Sequence, residues 1–143
     1  MVHALRDARR TLVRKGVLVD LRPRSTVFSI DVVAGPHTEA VGKADASAGE
    51  ADDRAADAAI QVEVNAGRLT PRSEARFEVH FYWDTTAGLL EYLRTGRRPK
   101  LLDRPGDEIE AKLQMIRAEA GPAARLRCTR QMSFASYGVD GCA

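Results

Sequence analysis

An α/β fold, with a small mixed sheet flanked by helices, is the class this sequence predicts, and three stretches predict it. Residues 2–21, VHALRDARRTLVRKGVLVDL, read as an amphipathic helix, a glycine stop and a buried strand. Residues 74–83, EARFEVHFYW, alternate polar and apolar side chains over ten positions, the period of a strand. Residues 125–137 alternate again as a long terminal strand. A helix joins 17–21 to 74–83, and such crossovers make the two strands parallel. The expected small mixed sheet holds 17–21, 125–137 and 74–83. A length of 143 residues suits one domain, 1–143.

Each element has its own local signal. In the first helix, 2–14, Ala4, Leu5, Ala8 and Leu12 form one stripe, and Gly16 stops it. Val17–Leu21 carries no polar residue until Asp20, as in a strand covered on both faces. Phe28, Ile30 and Val32 alternate in 26–33, and Ala34-Gly35-Pro36-His37 is a turn signal. The pattern predicts a β-hairpin over 26–44, treated as an insertion spanning 24–46. Ser47 and Glu50 fit a capping box, followed by an apolar stripe of Ala55, Ala58, Ala59 and Val62, with Gly67 as the stop. Asp84 or Thr85 can cap a short helix bearing Leu89, Leu90 and Leu93. Pro105 opens a helix with Ile109, Leu113, Ile116 and Ala120 on one face, closed by Gly121-Pro122. In the terminal strand Leu126, Cys128, Met132 and Phe134 point inward, and Arg130 breaks that row.

Composition narrows the function classes. Apolar residues make up 44% of the chain and the net charge is +2, too balanced to argue for nucleic acid or an anionic membrane. Four of the 22 basic residues are Lys, and Ala is abundant, which fits a GC-rich bacterial coding sequence. The first apolar run, Val17–Val19, is too short for a signal peptide, and no stretch approaches the about 18 apolar residues of a membrane span. Two cysteines, Cys128 and Cys142, make neither a disulfide framework nor a metal spacing. A reduced, cytoplasmic protein is expected.

The order helix, Gly, VLVDLRP, insertion, helix, strand ending YWDT, helix, long final strand resembles the C-terminal half of class I S-adenosylmethionine-dependent methyltransferases, a Rossmann-like fold. ALRDARRTLVRKGVLVDLRP (4–23) is similar to the family's fifth strand and the helix before it. FEVHFYWDTTAGLLEYL (77–93) is similar to the sixth strand and its helix, and 125–137 to the seventh strand, which the family inserts antiparallel between the other two; the resemblance thus implies the order 17–21, 125–137, 74–83, with the last strand central and antiparallel to both. The family holds its cofactor with turns after strands one to four. None of those positions is present, and the three missing βα units would need on the order of 100 residues. The resemblance thus implies a substrate-side portion, truncated or split from its other half, with no catalytic, cofactor-binding or metal residue of its own. S-adenosylmethionine would bind only with the missing half supplied. It further implies an open edge on strand 17–21, through which the chain self-associates or meets that half. An alternative from another class is a free-standing α/β partner-binding or structural module.

The candidate substrate-side rim is Asp20, Arg22, Arg24, His80, Tyr82 and Asp84. Asp20, Arg22 and Arg24 lie at the C-terminal end of a parallel-type strand, the edge where α/β folds place ligands. Arg22 or Arg24 could hold a carboxylate or phosphate with a two-pronged guanidinium; the ordinary reading is solvated loop charge. His80, Tyr82 and Asp84 could converge as an acid–base group. Their ordinary reading is the outward face of a strand followed by a helix cap. Asp52, Asp53 and Asp57 suit a helix N-terminus better than a metal site. Arg94, Arg97, Arg98 and Lys100 form a basic cluster without interleaved aromatics, so nucleic-acid binding is not expected.

Overall fold

The computed structural model describes Asp7, residues 15–95 and residues 100–139. The order of elements is β1 (Val17–Pro23), β2 (Val27–Ala34), β3 (His37–Asp45), a 3-10 turn (Ser47–Gly49), α1 (Glu50–Asn65), β4 (Thr70–Trp83), α2 (Thr86–Arg94), β5 (Leu101–Leu102), α3 (Gly106–Ala120) and β6 (Arg125–Gly138). The chain forms two compact units. The first takes its described residues from 1–24, 50–77 and 132–143, the second comprises 25–49 and the described residues of 78–131, so the boundary falls within β4 and within β6. Apart from Asp7, which is helical, the expected helix 2–14 lies outside the described residues, as do Arg97, Arg98 and Cys142.

In the first unit β1 runs antiparallel to the end of β6, from Val17 opposite Gly138 to Pro23 opposite Met132. The left-handed turn before β1 falls on Lys15, at φ 67°, and not on Gly16. The covered strand expected at 17–21 is corrected here. Val17, Val19 and Leu21 are 44%, 53% and 54% exposed, so one face of β1 is apolar and open. α1 ends at Asn65 and the chain turns at Gly67, φ 66°, where Arg68 N–H reaches the Glu63 carbonyl and Gly67 N–H that of Val64. This glycine-terminated pattern satisfies carbonyls the helix leaves free. The buried line of α1 passes through Ala59 and Glu63, and Val62 is 52% exposed. The face is thus turned by one residue from the alanine stripe read in the sequence. Burial of Glu63 is possible because Arg68 meets both its oxygens, Nε at 2.6 Å and Nη2 at 2.8 Å.

The second unit holds the core. β2 pairs antiparallel with β3 and with β6, and β3 pairs with β5. The loop between β2 and β3 is Gly35-Pro36, with Gly35 at φ 59°. Pro36 cannot take a positive φ, so of the two tight hairpin turns only the one with Gly first fits. The expected hairpin therefore forms, and β2 lies hydrogen-bonded within the main sheet. Phe28, Ile30, Val32, Leu126 and Cys128 on the strands pack with Leu89 and Leu93 of α2 and Ile109, Leu113 and Ile116 of α3. Arg130 keeps its place on the inward row by laying its guanidinium 4.9 Å over the Phe28 ring.

Two further expectations are corrected. The pairings of β1, β2, β3, β5 and β6 are all antiparallel, so the sheet is not mixed. The central position of β6 holds, since it pairs with both β1 and β4. The Ser47–Glu50 capping box does not form. Ser47 N–H donates to Asp45 at 2.7 Å, and Glu50 turns to Arg54 at 3.1 Å.

Candidate functional site

In the first unit, β1 presents Leu18, Asp20 and Arg22 on the face opposite its exposed apolar row. Arg22 Nε donates to Asp20 at 2.8 and 2.9 Å, and its Nη2 donates to Asp20 at 2.5 Å. Nη2 also reaches the Asp57 carboxylate of α1 at 2.5 Å, and Nη1 reaches the Asp53 carbonyl at 2.9 Å. One guanidinium thus ties β1 to the first turns of α1. Burial pulls the Arg22 pKa down, but the hydrogen bonds and charges of Asp20 and Asp57 outweigh it, so the group is held above its usual value. With its donors engaged in this way, Arg22 is a clamp and not a free anion holder.

Next to the clamp lies a pocket of about 360 Å³, at the low end for small-ligand sites. Asp20 is opposite Ala135 and Arg22 opposite Ser133 across the β1–β6 ladder. On the other side of β6, the Ser73 and Ser136 hydroxyls meet at 2.7 Å, which brings Glu74 alongside Ala135 and Arg76 alongside Ser133. Two small residues therefore form a floor between two walls of acid and base. Arg24 and Tyr137 also line the hollow. Burial first, then the charges of Asp20 and Glu74, pushes the Tyr137 phenol up, so it stays a hydrogen-bond donor at neutral pH.

His80, Tyr82 and Asp84 belong to the second unit. They do not converge as an acid–base group. His80 Nδ1 meets the Thr129 hydroxyl at 3.0 Å. Arg125 lies 5.4 Å over the Tyr82 ring and pairs with the Asp84 carboxylate at 2.7 Å. The Asp84 carbonyl accepts from Arg117. The cap of α2 is Thr85, whose hydroxyl accepts from Gly88 N–H at 3.2 Å. Asp84 thus pairs with Arg125, while His80 is engaged by Thr129.

The structure brings Asp20, Arg22 and Arg24 together at one pocket. Sequence reading missed Glu74, Arg76, Asp57, Ser133 and Tyr137. Their signal was present as the polar row of β4 and the small or polar row of β6, but both strands were read for their apolar rows. Among the described residues no group of three or more His, Cys, Asp or Glu could hold a metal ion, and no helix is long and apolar enough to cross a membrane. No protein-family model, curated protein or solved structure matches this chain.

Proposed function

We propose that this chain is a partner-binding α/β module without catalytic activity of its own, acting through the free edge of β1. The carrying observation is the combination at Val17–Pro23. Among the described residues this strand pairs only with β6, so its other edge carries unmatched N–H and C=O groups. Beside that edge Val17, Val19 and Leu21 stand in water. Free edges of this kind accept further strands unless charge, proline or a bulge blocks them. Pro23 comes only at the end of the run, and Asp20 points to the other face, where Arg22 neutralises it.

The partner is a second copy. The apolar row is symmetric about Val19, so two antiparallel β1 edges can meet across a two-fold axis with Val17 opposite Leu21. Sedimentation at tens of micromolar tests this. The wild type is expected to be dimeric. Val19→Lys adds two like charges at the centre, on an exposed position, and is expected to give a monomer with an unchanged far-ultraviolet spectrum. A monomeric wild type overturns the proposal.

A second reading makes the chain the substrate-side portion of a methyltransferase-type fold. It is favoured by β6 pairing with both β1 and β4, the order the resemblance implies. On that reading the pocket at Asp20, Arg22 and Arg24 faces the methyl acceptor, and S-adenosylmethionine binds only with a polypeptide supplying the other half.

A further inference from the structure

The pocket between Asp20 and Arg76 carries a charge pattern that the fold leaves incomplete. Six charged groups line it, three acidic and three basic. Asp20, Arg22 and Asp57 satisfy one another. Arg24, Arg76 and Glu74 do not, since none of the three makes a hydrogen bond or ion pair among the described residues. The free groups amount to two guanidiniums and one carboxylate. Glu74 and Arg76 take their places from strand β4 and Arg24 follows the end of β1, with Ala135 and Ser133 leaving room where larger side chains would fill the hollow.

We propose that this pocket binds a small acidic amino acid. A ligand with two carboxylates and one ammonium is the charge complement of Arg24, Arg76 and Glu74. The guanidiniums take the carboxylates, each offering a planar fork of donors. Glu74 takes the ammonium, and the protonated Tyr137 hydroxyl adds a neutral donor. The clamp at Arg22 holds Asp20 and Asp57 on the opposite wall, so those two carboxylates do not compete for Arg24 and Arg76. A neutral amino acid lacks the second carboxylate, and a plain dicarboxylate leaves Glu74 facing two like charges.

Calorimetric titration of the full chain with L-glutamate and with glutarate tests the assignment. L-glutamate is expected to bind saturably, and glutarate, which lacks the ammonium, about fivefold more weakly. Glu74→Gln is expected to remove the difference between the two. Arg76→Gln is expected to weaken both about tenfold. These side chains are exposed, so the thermal melts of the variants should match wild type and report that the fold is intact. The proposal is overturned by absence of saturable binding at about 10 mM L-glutamate, a ceiling that corresponds to a very weak site. Equal affinity for glutarate, or binding that Arg76→Gln leaves unchanged, overturns it as well.

Discussion

Replacing Arg22 with Gln removes the clamp while keeping a polar side chain of similar reach. The Arg22 and Asp20 side chains are 19% and 18% exposed, so about four-fifths of the pair is sheltered, whereas Asp57 is 63% exposed. Removing one partner of a fully buried pair costs roughly 3–5 kcal/mol, because a charge is left without compensation. The exposed contact with Asp57 adds at most about 1 kcal/mol. Discounting the main pair for its residual solvent access gives a cost of about 2–3 kcal/mol. For a chain of this length 1 kcal/mol corresponds to about 3 °C, so the melting temperature should fall by about 6–9 °C. Asp20→Asn made on top of Arg22→Gln removes the stranded charge, and the double variant should recover part of the loss. Thermal denaturation followed by circular dichroism measures all three. A drop under about 2 °C for Arg22→Gln, or strictly additive costs for the two substitutions, would refute the clamp.

Two other perturbations follow from buried groups. Burial, assisted by Asp31, pushes the Cys128 thiol up to about 12, against an ordinary value of 9.0. The unfolded chain therefore loses this proton first, binds fewer protons than the folded one above pH 9, and stability should fall as pH rises from about 9 towards 12, by at most about 1.4 kcal/mol per pH unit. In a Cys142→Ser background a thiol reagent at pH 8 should leave Cys128 unmodified until denaturant is added; rapid modification of the folded chain contradicts the burial. At the end of α1, the Glu63 side chain is 2% exposed and Arg68 34%. Arg68→Met removes both hydrogen bonds that Arg68 makes to the buried Glu63 carboxylate and should cost about 3 kcal/mol, while Glu63→Gln keeps one acceptor for Arg68, which is partly in water, and should cost about 1 kcal/mol. Urea denaturation curves that reverse this order would sink the argument.

Local chemistry was legible in the sequence; which surface ends up covered was not. The Gly35-Pro36 turn and the Gly67 and Gly121 stops rest on the conformational freedom or restriction of one residue, and each forms where expected. The helices with large side chains also come out correctly, with Leu89, Leu93, Ile109, Leu113 and Ile116 buried. α1 is different because alanines give little apolar contrast. Its most buried position in the last turns is Glu63, which reads as polar until Arg68 is placed beside it. In β4 the alternation is real, yet Phe77 and Phe81 are 40% and 37% exposed. Period identifies a face, and only a partner element distant in sequence decides whether that face is covered. The hairpin shows the same point in reverse. Phe28, Ile30 and Val32 enter the core because α2 and α3 pack there, some sixty to eighty residues further along.

The same distinction governs the site. Asp20 and Arg22 are two apart on a strand, so their shared face follows from the period of the strand alone. Their third partner, Asp57, looked like a helix-dipole complement because nothing in the sequence says which way the first turns of α1 face. Once Asp57 is placed, Arg22 changes role. It is satisfied within the fold, and the ligand-holding capacity that the sequence suggested for it passes to Arg24 and Arg76. Arg76 sits on the polar row of β4, which the sequence presents as ordinary solvated surface. It becomes a candidate because β6 carries Ser133 and Ala135 opposite Arg22 and Asp20. Small residues on a central strand leave a hollow, and charged residues on the strands beside it supply its walls. A binding site of this kind is a property of three strands in register, and no single strand announces it.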